Sequence, residues 1–566
     1  MENKTNNTPS PIELIKENSN YLRGTIAESL TNTASTALYP DDVALIKFHG
    51  IYQQRDRDLD AKRKLNKLEP SHIYLVRARV PAGILTPAQW LSLDELSSLF
   101  SNDDIKLTTR QAIQFHSVLK ENLKPTIQHI NQALLDTFAA SGDVNRNVMC
   151  SANPYESEIH AEVAEAALLL SSHLTPKSGA YHEIWLDKKL IAGGEPEEEP
   201  LYGKLYLPRK FKIAIAIPPH NDTDVLSNDL GFIAIVNNNK LVGYNLTEGG
   251  GMAYTYNNEA TYPRIADVVG YFPKEQLLDV AEAVLFFQRD HGNRADRKTA
   301  RLKYTIDRLG LDFFLSEIKR TKGIVLEKTR IYSFISLGDT YGWVQGADGF
   351  WHYTLFVEGG KLEDKEGHLA KSAVREIAKI HQGKFIITGN QNLIIAQIPD
   401  NEKAGIEALL KQYLVIDGLT LSKLLQNSLA CAALPYCGLA LAEAVRYLPT
   451  LIDKLDKVLE KYGLSDDAIT IRMTGCPNGC ARPFLAEIGL VGRKNGFYNL
   501  YLGASFTGER LNKLYKEMLS EEEIIDTLSP ILKDYADNRN RFEHFGDFVV
   551  RKEYVEAVEN GEGFHK

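Results

Sequence analysis

The chain is poor in cysteine, with five in 566 residues, and poorer still in tryptophan, with four. Five thiols are too few to staple a chain of this length, so a disulfide-built scaffold is excluded and a packed apolar core must hold the fold. Long apolar runs are also missing, and no stretch approaches the roughly 20 residues of a membrane-spanning helix. The opening segment MENKTNNTPSPIELIKENSN is polar and lacks the apolar centre of a secretory signal. Positive charge is not in excess: 65 lysines and arginines face 74 aspartates and glutamates, a net charge of −9. Such a balance does not grip phosphate backbones or acidic lipid, so neither nucleic acid nor membrane is expected as a partner. No convincing G-x-G-x-x-G stretch is present, and EGGGM at 248–252 is a lone glycine run. These absences leave a cytoplasmic protein of several domains, in a reducing compartment where paired cysteines more often bind metal than each other.

Four of the five cysteines fall into two close pairs. SLACAALPYCGLA sets Cys431 and Cys437 in a C-x5-C spacing, and TGCPNGCARPF sets Cys476 and Cys480 in a C-x3-C spacing, with 38 residues between the pairs. Structural zinc favours tighter clips, whereas a cubane iron–sulfur cluster takes four thiolates at irregular spacings with Pro and Gly nearby. Gly475, Pro477 and Gly479 let the backbone turn tightly and aim amide N–H groups at sulfur. A cluster is the favoured reading; zinc, or no metal, stays open on spacing alone. Cys150 stands alone and reads as a small buried apolar residue.

The chain also repeats itself. IYLVRARVPAG, a helical stretch around AQWLSLDELSSLF and IKLTTRQAIQFHSV give strand, helix, strand, and the same order returns near residues 351–398. RNVMCSANPYESEIHAEVAEAA parallels NSLACAALPYCGLALAEAVR, placing Cys150 over Cys431 and Glu156 over Cys437, and Tyr-Asn-Leu recurs at 244–246 and 498–500. Internal duplication follows, and the element pattern points to an α+β fold. The copies are asymmetric: the second has the paired cysteines and the first has cations, so a site is expected at their junction. Those cations are Arg77 and Arg79 in YLVRARV, Arg110 in LTTRQ, Arg146 in VNRNV, and Arg209, Lys210 and Lys212 in LPRKFKIAI. Alternation puts Lys210 and Lys212 on one face of an expected strand. Any one of them fits a solvated strand face, but so many cations among apolar neighbours point to an anionic ligand. The stretch QRDHGNRADRKTARLKYT at 288–305 adds six more cations, on a basic helix face or against a ligand with many carboxylates.

Taken together, TGCPNGC, C-x5-C, LPRKFK, NRNVMC-x3-PYES and TTRQAIQFH resemble the haemoprotein (beta) subunits of assimilatory NADPH-dependent sulfite reductases, in the sirohaem sulfite and nitrite reductase family. The similarity runs over nearly the full length, including NYLRGTIAESL, FHGIYQQRDRD and FGDFVVR. It implies six-electron reduction of sulfite to sulfide, in cysteine biosynthesis, with one sirohaem and one [4Fe–4S] cluster per chain. NADPH, FAD and FMN would act only through a partner flavoprotein (alpha) subunit. By the resemblance, Cys431, Cys437, Cys476 and Cys480 hold the cluster, and Cys480 also binds the sirohaem iron axially. Arg77, Arg146, Lys210 and Lys212 match the substrate-binding cations. Lys106, Arg110, Gln114, His116, Arg209, Gly249, Gly250, Gly251 and Asn478 match sirohaem contacts, Lys106 standing where the family has Arg.

The implied architecture has an N-terminal arm at 1–62 as a flavoprotein contact, pseudo-symmetric ferredoxin-like halves at 63–135 and 340–415, a sirohaem and substrate domain at 136–339, and a cluster domain at 416–566. A ferredoxin-dependent sulfite or nitrite reductase is the near alternative, and a non-catalytic protein with a structural metal cluster the remote one.

Overall fold

The computed structural model describes residues 8–177, 184–186, 189–192, 199–558 and 561–565. Four five-stranded sheets dominate it, as two pairs of copies. In the first pair, Ile51–Arg55, His72–Ala78, Ile113–Val118 and Ile105–Leu107 form one antiparallel sheet. Gly342–Gln345, Trp351–Leu355, Leu393–Ile398 and Lys384–Ile387 form the other in the same order.

Each half finishes the other's edge. Lys361–Leu362 pairs with the strand Ile105–Leu107, and Ile84–Leu85 pairs with Lys384–Ile387. The chain enters each exchanged strand through a left-handed turn, at Ala82 and Gly83 (φ 56° and 75°) and at Gly359 and Gly360 (φ 53° and 72°). A β-carbon on Gly83 would collide with the Ile387 carbonyl, and one on Gly360 with the Leu107 carbonyl. Glycine is therefore required where one half's backbone crosses the other's.

One core runs through both halves, with Trp90, Phe115, Leu355, Phe385 and Ile395 fully buried. Helix Pro87–Phe100 feeds it. Thr86 and Gln89 close a capping box at its start and Pro87 presets its first turn. Trp90 then meets Phe385 of the other half at 5.2 Å between ring centroids.

The second pair of sheets carries the duplication further. Met149–Cys150, Ile213–Ala216, Leu230–Asn237, Lys240–Glu248 and Asp267–Pro273 make one, with two parallel links followed by two antiparallel ones. Ser428–Ala430, Ile471–Thr474, Ile488–Lys494, Phe497–Leu502 and Lys513–Leu519 repeat that pattern. Cys150 ends the first strand of one sheet, Cys431 follows the first strand of the other, and the two Tyr-Asn-Leu triplets lie on the equivalent fourth strands. The fold is α+β and internally duplicated.

Three local expectations change. LPRKFK is not a strand but an irregular approach to Ile213–Ala216, pinned where Phe211 bridges Asn145. Phe211 is fully buried, so Lys210 and Lys212 on either side still point the same way. In the second copy, residues 431–447 stay irregular until helix Leu448–Lys461, whereas helix Glu158–His173 follows Cys150 closely; the later segment carries Cys431 and Cys437, with the Leu439 and Ala440 amides turned to the Cys437 sulfur. The segment 1–62 is not a detached arm from Ser10 onward. Lys16 is 1 % exposed, bonds the Leu207 carbonyl at 2.9 Å and pairs with Glu13 at 2.6 Å, and Ile51–Arg55 is an edge strand of the first sheet. The boundary expected at residue 62 falls inside helix Arg57–Leu65. Charged residues pinned by distant partners leave no periodic trace, which is why the sequence reads as an arm there.

Gly360→Ala is expected to lower the thermal midpoint, since a forced left-handed conformation costs on the order of 1–3 kcal/mol. A midpoint unchanged at fixed scan rate in differential calorimetry would show that the crossover has slack.

Candidate active site at the junction of the two copies

The four paired cysteines meet on the connections that follow Ser428–Ala430 and Ile471–Thr474, the first two strands of the second copy's sheet. Burial raises the Cys431 thiol well above its usual range and Cys480 raises it further. Burial and then Cys480 also raise Cys437, and push Cys476 up to about 12. Each of these three thiols feels Cys480, and Cys431 feels Cys476 and Cys437 as well, so the four form one group. N–H donors face the sulfurs: Gly475 N to Cys431 Sγ at 3.4 Å, Asn478 Nδ2 to Cys476 Sγ at 3.4 Å, and the Leu439 and Ala440 amides to Cys437. Such donors stabilise a negatively charged sulfur centre. Among the described residues, no three His, Cys, Asp or Glu side chains are placed to hold a single ion. Four thiols in electrostatic reach of one another are the number a cubane cluster takes at its separate corners.

The loop is held shut from outside. A β-carbon on Gly475 would stand 2.5 Å from the Ala442 carbonyl oxygen, and one on Gly479, at φ 61°, 2.9 Å from that of Met252. Tyr254 N donates to the Pro477 carbonyl at 3.1 Å. Cys150 lies apart, 1 % exposed, with its backbone clasped by the Gln111 amide through two 3.0 Å bonds. Burial pushes its thiol far up. It is buried as expected.

The cationic side comes from sheet register. Arg77, Gln114, Lys106 and Lys361 stand opposite one another across four neighbouring strands, and alternation adds His116 to the same face. Arg77 donates to the Ala140 carbonyl at 3.2 Å, and through Nε to the Gln114 amide oxygen at 2.8 Å with that amide turned toward it. Burial lowers Arg77, while Tyr52 and Cys480 act the other way, so this face and the thiols share one space. Lys106 donates to the Gly359 carbonyl. Burial brings it down to about 8 against the pull of Cys431, so it serves the thiol side.

Arg146, Arg209, Lys210 and Lys212 close the cleft. Burial drives Lys210 far down, helped by Lys212 and Arg209, and drives Lys212 far down, helped by Arg110 and Arg301. Burial and then Arg297 lower Arg209 to about 10. Arg146 reaches only the Gly142 carbonyl, at 3.1 and 3.3 Å. Among the described residues, Arg77, Arg146, Arg209, Lys210 and Lys212 form no ion pair.

Other expected contacts are engaged inside the protein. Arg110 donates to Asn228 Oδ1 at 2.8 Å and to the Asn147 and Ile213 carbonyls, leaving a buried Nε without a partner. Both nitrogens of His116 are buried and unpartnered, and burial followed by Lys106 brings the ring down to about 3. Gly249 and Gly251 make room for Arg264 and Arg301, and Gly250 for the backbone at Leu226 and Asn228. Asn478 serves Cys476. In the basic stretch, Arg294 pairs with Glu13 at 2.6 Å, Arg297 with Asp143 at 2.8 Å and Arg301 with Asp229 at 2.8 Å. With Arg289 on Asp290 at 2.7 Å, protein carboxylates offset most of its charge, while Lys303 is held by the Gly251, Ala253 and Tyr262 carbonyls.

Sequence reasoning missed Tyr52, Lys361 and a buried clasp. Asp224 is 1 % exposed between Arg472 (2.7 Å) and Arg482. Burial works against its charge, yet Arg472 and then Arg482 hold its carboxyl below the usual range. Arg482 also donates to the carbonyls of Thr109 and Gly389 at 2.9 and 3.0 Å, and Thr109 Oγ1 donates to the Cys480 carbonyl at 3.1 Å. The residue two past Cys480 thus ties it to both halves and to the first copy. Asp224 and Arg482 occupy equivalent left-handed positions before short 3-10 turns, a signal only the aligned copies could reveal. Asp224→Asn is expected to destabilise by about 3–5 kcal/mol, as for a buried pair broken from one side. Denaturant unfolding within 1 kcal/mol of the parent would contradict the clasp.

Comparison with known proteins agrees with this layout. The nitrite/sulfite reductase ferredoxin-like half domain matches residues 66–133 and 344–413, the two strand-exchanging halves. The nitrite and sulphite reductase 4Fe-4S domain matches 165–325, a stretch of the first copy that holds none of the five cysteines. The sulfite reductase (NADPH) hemoprotein beta-component of Anoxybacillus flavithermus is 55% identical over 98% of each chain. That of Bacillus subtilis is 53% identical over 99% of this chain and 98% of its own. The solved structure of Mycobacterium tuberculosis NirA shares the fold, with TM-score 0.77 over 97% of each chain at 22% identity. The chain therefore belongs to the nitrite and sulfite reductase family, alongside the sulfite reductase hemoprotein beta-components, and is an oxidoreductase.

Proposed function

We propose that this chain reduces sulfite to sulfide in six-electron steps, within cysteine biosynthesis in the cytoplasm. A partner flavoprotein carrying FAD and FMN would deliver the electrons from NADPH. The observation that carries the reading is the cleft of five cations without a carboxylate partner, set against four grouped thiols. Cations held that way suit a small oxyanion and an anionic macrocycle together.

The residues present fit both implied groups. Cys431, Cys437, Cys476 and Cys480 are soft donors of the right number for a [4Fe–4S] cluster, with N–H groups facing them. The unpartnered His116 nitrogens and Arg110 Nε, and Arg209 outside any ion pair among the described residues, fit a sirohaem with its ring carboxylates. Cys480, nearest in influence to Arg77, would be shared between the two. When bound, these groups supply the electron storage that no side chain offers.

The chain's own residues do the rest. Arg77 and Arg146 present guanidinium forks to sulfite oxygens, and Lys210 and Lys212 add point charges beside them. Each oxygen leaving sulfur departs as water and needs protons at its own atom. Lys210 and Lys212, whose ammonium forms burial disfavours, give protons up readily. His116 stays neutral and adds no charge to the cleft.

Lys210→Ala or Arg146→Ala is expected to cut kcat/KM for sulfite about a hundredfold, the scale of losing one preorganised charge, with iron and sirohaem content unchanged. Wild-type turnover at limiting sulfite would remove those residues from the site. Cys437→Ser is expected to lose cluster iron, and an iron count per chain equal to the parent would exclude it as a ligand. Turnover of sulfite and nitrite by the parent protein with reduced methyl viologen tests the reading itself; nitrite strongly preferred over sulfite would replace it.

A further inference from the structure

Tyr52 stands on the strand Ile51–Arg55, opposite Leu75 and so two residues along the neighbouring strand from Arg77. It is half-buried, and the Arg77 guanidinium carbon lies 5.6 Å from its ring centroid. The charged groups that act on the phenol are cations: Arg146 from the loop after Val144, Arg77 from the adjacent strand and Lys47 from the turn before, with Arg297 of the basic stretch further off and paired with the Asp143 carboxylate, which also acts on Lys47. Ser141 adds a hydroxyl, itself anchored to the Lys47 carbonyl. Arg77 and Arg146 are two of the cations assigned above to sulfite, so the phenol borders the position where the substrate oxygens sit.

We propose that Tyr52 is a catalytic acid of this site, giving its phenolic proton to an oxygen as it leaves sulfur. The proposal rests on the sulfite-reducing reading. In the step, the Tyr52 Oη–H bond breaks, the proton passes to the departing oxygen, and the electron pair stays on Oη as phenolate between Arg146 and Arg77. The second proton of that water comes from Lys210 or Lys212, and the two electrons of the S–O cleavage come from the partner flavoprotein. The half-buried Lys47 ammonium, which acts on the phenol, returns the proton to Oη. A tyrosine surrounded by apolar groups could not do this near neutral pH. Here burial alone would raise the phenol, but Arg146 and then Arg77 outweigh it and bring it down to about 8.

The test is Tyr52→Phe in the holoenzyme, which keeps the ring and removes only the hydroxyl. With reduced methyl viologen as donor, kcat is expected to fall about a hundredfold while KM for sulfite moves less than about threefold, with iron and sirohaem retained. The parent's activity should decline as pH rises through about 8, because the protonated phenol is the active form, and this limb should be lost in the variant. Independently of turnover, the ultraviolet phenolate signal of the parent should contain one tyrosine ionising below the rest, absent in Tyr52→Phe and shifted upward in Arg146→Met. A Tyr52→Phe enzyme with parental kcat and pH profile overturns the proposal. So does a parent protein with no early-ionising tyrosine, even if the variant loses its cofactors. A parent that does not reduce sulfite at all sinks the functional reading instead.

Discussion

Like charges held side by side in a half-buried cleft repel, and burial adds a desolvation cost to each. Among the described residues, Arg77, Arg146, Arg209, Lys210 and Lys212 bear both penalties without an ion pair, although Asp143 and Asp229 act on Arg209 and Lys212 from further off. Nearby cations show that the fold can supply carboxylates when it needs them: Arg297 has Asp143, Arg301 has Asp229, and Arg472 and Arg482 share Asp224. The unpaired set is thus a local violation of a rule obeyed around it, and such violations mark places where a ligand completes the structure.

Keeping that cleft open requires a frame that does not collapse on it. The exchanged strands provide one, because neither half can move without breaking the other's edge pairing. The shared core through Trp90 and Phe385 joins the halves a second time. The Asp224 clasp then fixes the thiol loop to this frame, with Arg482 reaching the carbonyls of Thr109 and Gly389 at matching turns of the two halves. Rigid support of this kind fixes Cys480 relative to Arg77 and so sets the distance between thiol and cation.

Duplication also explains the division of labour. The two mixed sheets have the same order and the same parallel and antiparallel links, yet the position of Cys431 is filled in the first copy by Cys150, clasped by Gln111 and sealed from solvent. One copy's loop is irregular and wraps thiols; the other's gives way early to helix Glu158–His173 and leaves its polar groups on the approach to Ile213–Ala216. A shared scaffold carries two chemistries because only loops differ between the copies.

The linear order of residues determined the α+β class, the internal repeat, the pairing of the cysteines and the identity of the cations, since periodicity and spacing are local properties. It also put Lys210 and Lys212 on one side, correct in direction though the strand was not there, because alternation about a buried Phe211 works in any extended chain. Tertiary structure alone decided that residues 10–62 are built into the body, that the basic stretch at 289–303 is neutralised from within, and that Tyr52 and Lys361 join the cleft. Each of these depends on partners far away in sequence, such as Glu13 with Arg294 or Arg146 with Tyr52. Coulomb and desolvation energies are set by distance in space, and no spacing along the chain encodes that distance.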